Sequence, residues 1–214
     1  MSEPPLSQHA GPVALAAGAF LAATDLGRLP LLGNRLALAT DPVLVVVNAA
    51  YFFAFVGLMI ALVALHLRLG PSTGRFGLAA FLAAIVGTMC QGGNMWFDAF
   101  AAPWLAEVLP QAFTVPKTAI LLTGALFSYV LFALGWVLYG LALLRVRAVP
   151  FAAGSAMVVG GLLGYNSGMT PYGVPIGLAV AAMGVWVIRR DREAARTRTL
   201  DSPSADAQLA ERER

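Results

Sequence analysis

Apolar runs of membrane length divide this chain, and they rule out most folds open to a protein that lives in water. A helix rises about 1.5 Å per residue, so about 20 apolar residues cross a hydrocarbon core about 30 Å thick. Runs at 43–67, 76–97, 118–144, 149–165 and 172–188 reach or approach that length. A sixth, 10–26, is closed early by Asp25 and reads either as a short span or as a helix lying in the interface. Charged residues make up 12% of the chain, against about 25% in an ordinary globular domain, and the mean hydropathy is +0.76. So few polar residues cannot build a surface in water, which leaves lipid to cover most of it.

The expected fold is therefore an all-α membrane protein, a bundle of about six transmembrane helices with short loops, or five if the first run is interfacial. Residues 1–188 form its single transmembrane domain. Beyond Ile188 the chain turns to Arg, Asp, Glu, Ser and Ala, too polar to bury a core of its own, so 189–214 is expected to be a disordered cytoplasmic tail. The segment before the first run holds Glu3 and a proline pair but no Lys or Arg, so it lacks the basic start of a signal peptide.

Orientation follows from the basic residues, which cluster in cytoplasmic loops. With six spans, one side holds Arg68, Arg75, Arg145, Arg147 and the seven arginines from Arg189 onward, eleven in all, and the other holds Arg28, Arg35 and Lys117. Both termini are accordingly expected in the cytoplasm. Thirteen of the fourteen basic residues are Arg and Ala is abundant, a usage common in G+C-rich bacteria, which places the chain in a bacterial inner membrane. The basic residues form no long cluster with interleaved aromatics, so nucleic acid is not an expected partner.

Small residues mark where helices approach closely, because packing replaces the hydrophobic effect inside lipid. Ala50, Ala54, Gly57, Ala61 and Ala64 share one face of the second span. Gly160, Gly164 and Gly168, followed by Gly173, Gly177 and Ala181, predict a tight hairpin of the fifth and sixth spans.

The third span carries a stripe of another kind. Ala80, Ala84, Gly87, Gln91, Asn94 and Asp98 step by 3 or 4 and so lie on one face that becomes polar toward the outer end. Polar groups left unpaired in hydrocarbon cost several kcal/mol each, so this face must look at protein or water. Depth counted along the helices puts Asn48 and Thr123 in the same outer layer, with Asp25, Asp98, Glu107 and Lys117 around its mouth. Asn48, Gln91, Asn94 and Asp98 are thus the candidate binding residues. Two readings follow: a hydrogen-bonded network tying spans together, or an outward-facing pocket for a small polar or cationic solute. The first is preferred, because polar residues near a helix end commonly serve packing. The amphipathic segment 99–117 either lies among head groups or covers the layer as a lid.

No catalytic residues, metal ligands or cofactor are expected. His9 and His66 are the only histidines, too few for a haem held between spans, and His66 reads as an interfacial residue. There is no HExxH and no Gly-x-Ser-x-Gly, and Gly154-Ser155-Ala156 has no histidine on a later span to activate it. Lys117 lies too near an interface to carry a retinal. Met89, Cys90 and Met95 read as packing, not as a soft-metal site. The expected partners are the lipid bilayer and either a membrane protein or further copies of the chain. A non-enzymatic role in interaction or assembly is the leading reading, with a small transporter or solute-binding protein as the alternative.

Overall fold

A computed structural model describes residues 5–29 and 35–201, and every regular element among them is helical. Six helices build the body: α1 (Ala10–Gly27), α2 (Pro42–Leu69), α3 (Gly74–Trp96), α4 (Ala119–Arg145), α5 (Phe151–Leu163) and α6 (Gly173–Asp201). Their starts follow local chemistry. The Asp41 carboxylate accepts from the Val43 and Leu44 amides, with Pro42 at the first position of α2, which supplies acceptors to amides with no partner inside the helix. Thr118 caps α4 in the same way through Leu121. Between α2 and α3 the chain reverses through the 3-10 turn Gly70–Thr73, and Gly74 takes φ +63° there, a conformation that disfavours a side chain.

Each helix packs on its neighbours in sequence, and α6 closes the arrangement by packing on α1. Leu21, Tyr51, Phe55, Leu58, Leu62, Phe132, Trp136, Tyr139, Met157 and Ile176 fill the interior. Large apolar side chains elsewhere on the same helices, among them Phe53, Leu82, Met89, Phe127 and Leu178, point outward. Length and hydropathy qualify four helical runs for crossing a membrane: Ala10–Gly27, Pro42–Val108, Ala119–Arg145 and Gly173–Thr197. The second of these contains both α2 and α3, folded back on each other. Helices embedded in this way place their outward apolar faces against lipid.

The first run does not lie apart in an interface. Its buried residues Ala14, Ala17, Gly18 and Leu21 pack between α2 and α6. The contact of α1 with α6 is the most extensive in the molecule, and small residues make it so. A Cβ on Gly18 would collide with the Gly177 carbonyl and the Ala181 amide, and one on Gly184 would lie 2.6 Å from the Gly11 carbonyl oxygen. The α3–α4 pair is as close at Gly87 and Gly135, where added Cβ atoms would meet the backbones of Leu131 and Ala84. Gly160 and Gly164 do face α6, across Pro175 and Ile176. Gly168 does not, because it turns toward Tyr129 and Gln91.

Two expected elements differ from the sequence reading. The run 149–165 yields a helix of 13 residues, about 20 Å long, because the chain tightens into a 3-10 turn at Gly164–Asn166 and then makes turns as far as Tyr172. At the other end, α6 does not stop at Ile188 but continues to Asp201, consistent with the good helix formers Arg, Glu and Ala that follow. The remainder of the expected tail, 202–214, lies outside the described residues.

Segment 99–117 leaves α3 through a π-helical turn at Phe97–Ala101 and forms the short helix Ala102–Val108 and the 3-10 turn Pro110–Phe113. Ala102, Ala106 and Phe113 pack on Ala39 of the short helix Arg35–Thr40, while Trp104 and Val108 are exposed.

Candidate functional site

The short α5 creates the problem that the polar residues of this protein answer. The irregular connection between α5 and α6 carries backbone N–H and C=O groups that a helix would have paired internally. At membrane depth such backbone is tolerated only where it is buried in protein or lines a wet cavity. The connection from Gly164 to Tyr172 sits between the end of α1, the start of α2 and the end of α3, and side chains of α1 and α2 bond to it directly.

Asp25 and Arg28, one turn apart near the end of α1, are the centre of this arrangement. Asp25 is 0% exposed and Arg28 3%. Asp25 Oδ2 accepts from the Gly173 amide at 2.7 Å and the Val174 amide at 3.1 Å. These are the first amides of α6, so a carboxylate from another helix caps its positive end. Thr170 Oγ1 donates to the Asp25 carbonyl at 2.8 Å. Arg28 Nη2 donates to the Gly168 carbonyl at 3.2 Å, and its Cζ lies 4.4 Å from the centre of the Tyr51 ring. The Tyr51 hydroxyl donates to the Ser167 carbonyl at 2.5 Å. Within the pair, Arg28 Nη1 is 3.7 Å from Asp25 Oδ1, an ion pair without a hydrogen bond.

Gln91 approaches the same connection from α3. A Cβ on Gly168 would lie 3.3 Å from Gln91 Nε2 and 3.0 Å from the Tyr129 hydroxyl. Gln91 is 0% exposed, and its Oε1 accepts from Asn94 Nδ2 at 3.4 Å. Asn48 on α2 is also buried, whereas Asn94 and Asp98 are half-buried and Asp98 lies in the π-helical turn. Gln91 and Asn94 are therefore in contact, and the stripe Ala80, Ala84, Gly87, Gln91 lies on the buried face of α3.

Other residues of the expected layer fall elsewhere. Thr123 is exposed on the first turns of α4, and Glu107 is exposed beside the groove formed by Thr40, Val45 and Pro103. Asp25 does not fringe a mouth but is enclosed, and Arg28, counted as a loop charge in the sequence, is enclosed with it. The α5–α6 connection comes close to Gln91 at Gly168, while segment 99–117 packs on the short helix Arg35–Thr40. Thr88, with no role in the sequence reading, accepts from Trp136 Nε1 at 3.1 Å and ties α3 to α4. At the opposite end His66 does not reach outward; its ring stacks on Phe81 at 3.9 Å.

Five enclosed atoms near the connection have no hydrogen-bond partner among the described residues: Asp25 Oδ1, Arg28 Nε and Nη1, Gln91 Nε2 and Ser167 Oγ. Among the described residues no group of three or more His, Cys, Asp or Glu stands together as a metal site. The Asp25 carboxylate, the Arg28 guanidinium and the Tyr51 phenol are each bonded to the backbone of the same chain. Asp25 and Arg28 were visible in the sequence as two opposite charges three residues apart at the end of an apolar run. Their partners, 148 and 140 residues away, were not. Compared with family models, with curated proteins and with solved structures, the chain gives no match in any of the three.

Proposed function

We propose that this chain is a multi-pass protein of the bacterial cytoplasmic membrane, with both termini in the cytoplasm, that acts through helix contacts within the membrane and not as an enzyme. Its enclosed polar residues Gln91, Asp25, Arg28 and Tyr51, with the half-buried Asn94, are structural: they hold the α5–α6 connection at membrane depth. Asn48 and Asp98 are assigned to the same structural layer on their depth along α2 and α3.

The observation that carries the interaction reading is the first turns of α4. From Ala119 to Gly124 every residue is exposed, and a Cβ on Gly124 would meet nothing within 4 Å. This stretch combines Ile120, Leu121 and Leu122 with Thr123 and Gly124, a small and polar strip of the kind that receives another helix. A membrane-protein partner or a second copy of the chain fits it. The test is cysteine cross-linking in native membranes from Gly124→Cys in a Cys90→Ala background, with Leu178→Cys as an outward-facing comparison. A discrete cross-linked product from position 124 alone supports the reading; equal, weak products from both positions contradict it.

The second reading, a transporter or solute-binding protein for a small polar or cationic solute, is favoured by the five enclosed polar atoms without partners. Such atoms cost about 1–3 kcal/mol each when left dry, so water or a solute at that place would stabilise them.

A further inference from the structure

At the end of the bundle opposite Asp25, Arg68, Ser72, Arg147 and Arg190 line a groove of about 360 Å³ together with Leu69 and Val146. We propose that this groove binds the phosphate of an anionic lipid head group. The proposal is independent of the reading of the Asp25 end.

Charge comes first. Arg68 Nη2 lies 2.6 Å from Asp191 Oδ1, so that pair is close to neutral. Arg147 and Arg190 are both exposed and remain as two positive charges facing one recess. Neither position is accidental. Arg147 stands in the tight α4–α5 turn at φ +53°, an unusual backbone for a side chain this large. The Arg190 guanidinium lies 5.4 Å from the centre of the Trp186 ring, which steers it while leaving its N–H groups free for an oxyanion. The Ser72 hydroxyl, although it donates to the Leu69 carbonyl at 2.9 Å, adds a polar oxygen to the wall.

Depth comes next. A half-buried Trp186 one turn from Arg190 is the usual marker of head-group level. The volume falls in the range of about 300–1,000 Å³ typical of small-molecule sites. Phosphate oxyanion chemistry is common to a lipid and to free inorganic phosphate. The apolar Leu69, Pro71 and Val146 in the same walls favour the lipid, which brings hydrocarbon with its charge. Basic recesses between transmembrane helices recognise anionic head groups by the same physics.

The test is a native mass spectrometry titration of the full chain, in a neutral detergent, with dioleoylphosphatidylglycerol, dioleoylphosphatidylcholine or inorganic phosphate. Wild type should retain phosphatidylglycerol and neither of the others. At about 1 kcal/mol per arginine near the surface, Arg147→Gln with Arg190→Gln should weaken that binding about thirtyfold. Arg147→Lys with Arg190→Lys should keep most of it. Arg192→Gln with Arg196→Gln removes the same charge from exposed positions of α6 outside the groove and should change binding less than threefold. Melting curves identify any variant that has lost its fold, and the lysine pair then carries the comparison. Equal loss in both glutamine pairs, or equal retention of phosphatidylcholine, overturns the site, and equal retention of inorganic phosphate overturns its assignment to lipid.

Discussion

Replacing Asp25 by Ala should be among the most damaging single changes this chain can suffer away from its glycine contacts. The substitution removes the acceptor of the Gly173 and Val174 amides and strands the Arg28 guanidinium, which is 3% exposed. Breaking a buried ion pair by deleting one partner costs about 3–5 kcal/mol. Measured polar interactions inside membrane proteins are smaller, about 0.6–2 kcal/mol each, so two amides and one charge sum to about 2–5 kcal/mol by either route. Against a total stability of about 5–15 kcal/mol, a fall of that size is easily measured by reversible denaturation in mixed micelles. Asp25→Asn keeps one carbonyl oxygen for the Gly173 amide and loses the charge, so it should cost about half as much. Adding Arg28→Met to Asp25→Ala removes the stranded cation, and the double variant should be at least about 1 kcal/mol more stable than the two single losses sum to. If Asp25→Ala unfolds within about 0.5 kcal/mol of wild type, the carboxylate does not hold the α5–α6 connection and the reasoning fails.

Two further outcomes follow from the packing and from the charges. Gly18→Leu should lower the melting temperature sharply, because the added side chain would meet the backbone of Gly177 and Ala181, whereas Gly93→Ala, with nothing within 4 Å, should leave it unchanged; equal melting of the two variants would refute the close α1–α6 contact. Reporter fusions after Arg147 and after Arg198 should read cytoplasmic and one near Glu107 external, and an external reading after Arg198 would invert the proposed topology.

The helices were legible in the sequence because lipid imposes one rule on all of them. The runs at 10–26, 43–67, 76–97 and 118–144 correspond to Ala10–Gly27, Pro42–Leu69, Gly74–Trp96 and Ala119–Arg145 within two residues at each end. Asp41, Thr118, Gly70 and Gly74 mark those ends by capping and turning. The run at 149–165 misled, since hydropathy measures how apolar a segment is and not whether its backbone stays helical past Gly164. The buried face of α3 was legible as a stripe with helical spacing. Its partners were not, because counting depth from helix ends assumes straight, fully packed spans. Thr123 has the right depth by that count, yet it lies on the first turns of α4, where every residue from Ala119 to Gly124 is exposed. Asp25 read as the end of a span for a related reason: nothing local reveals that the amides it caps belong to the last helix.

Water access to the Gln91 layer is the most direct test of the central claim that these polar groups are structural. Gln91→Cys, Asn94→Cys and Ser167→Cys would each be placed in a Cys90→Ala background and treated in whole cells with a membrane-impermeant thiol reagent. The exposed Val86 and Met89 serve as the lipid-facing comparison. The account predicts no labelling at 91 and 167, the two fully enclosed positions, and no more at 94 than at 86 or 89. Strong labelling at 91 and 167 with none at 86 and 89 would contradict it, and would establish a wet site beneath the α5–α6 connection in place of a structural network.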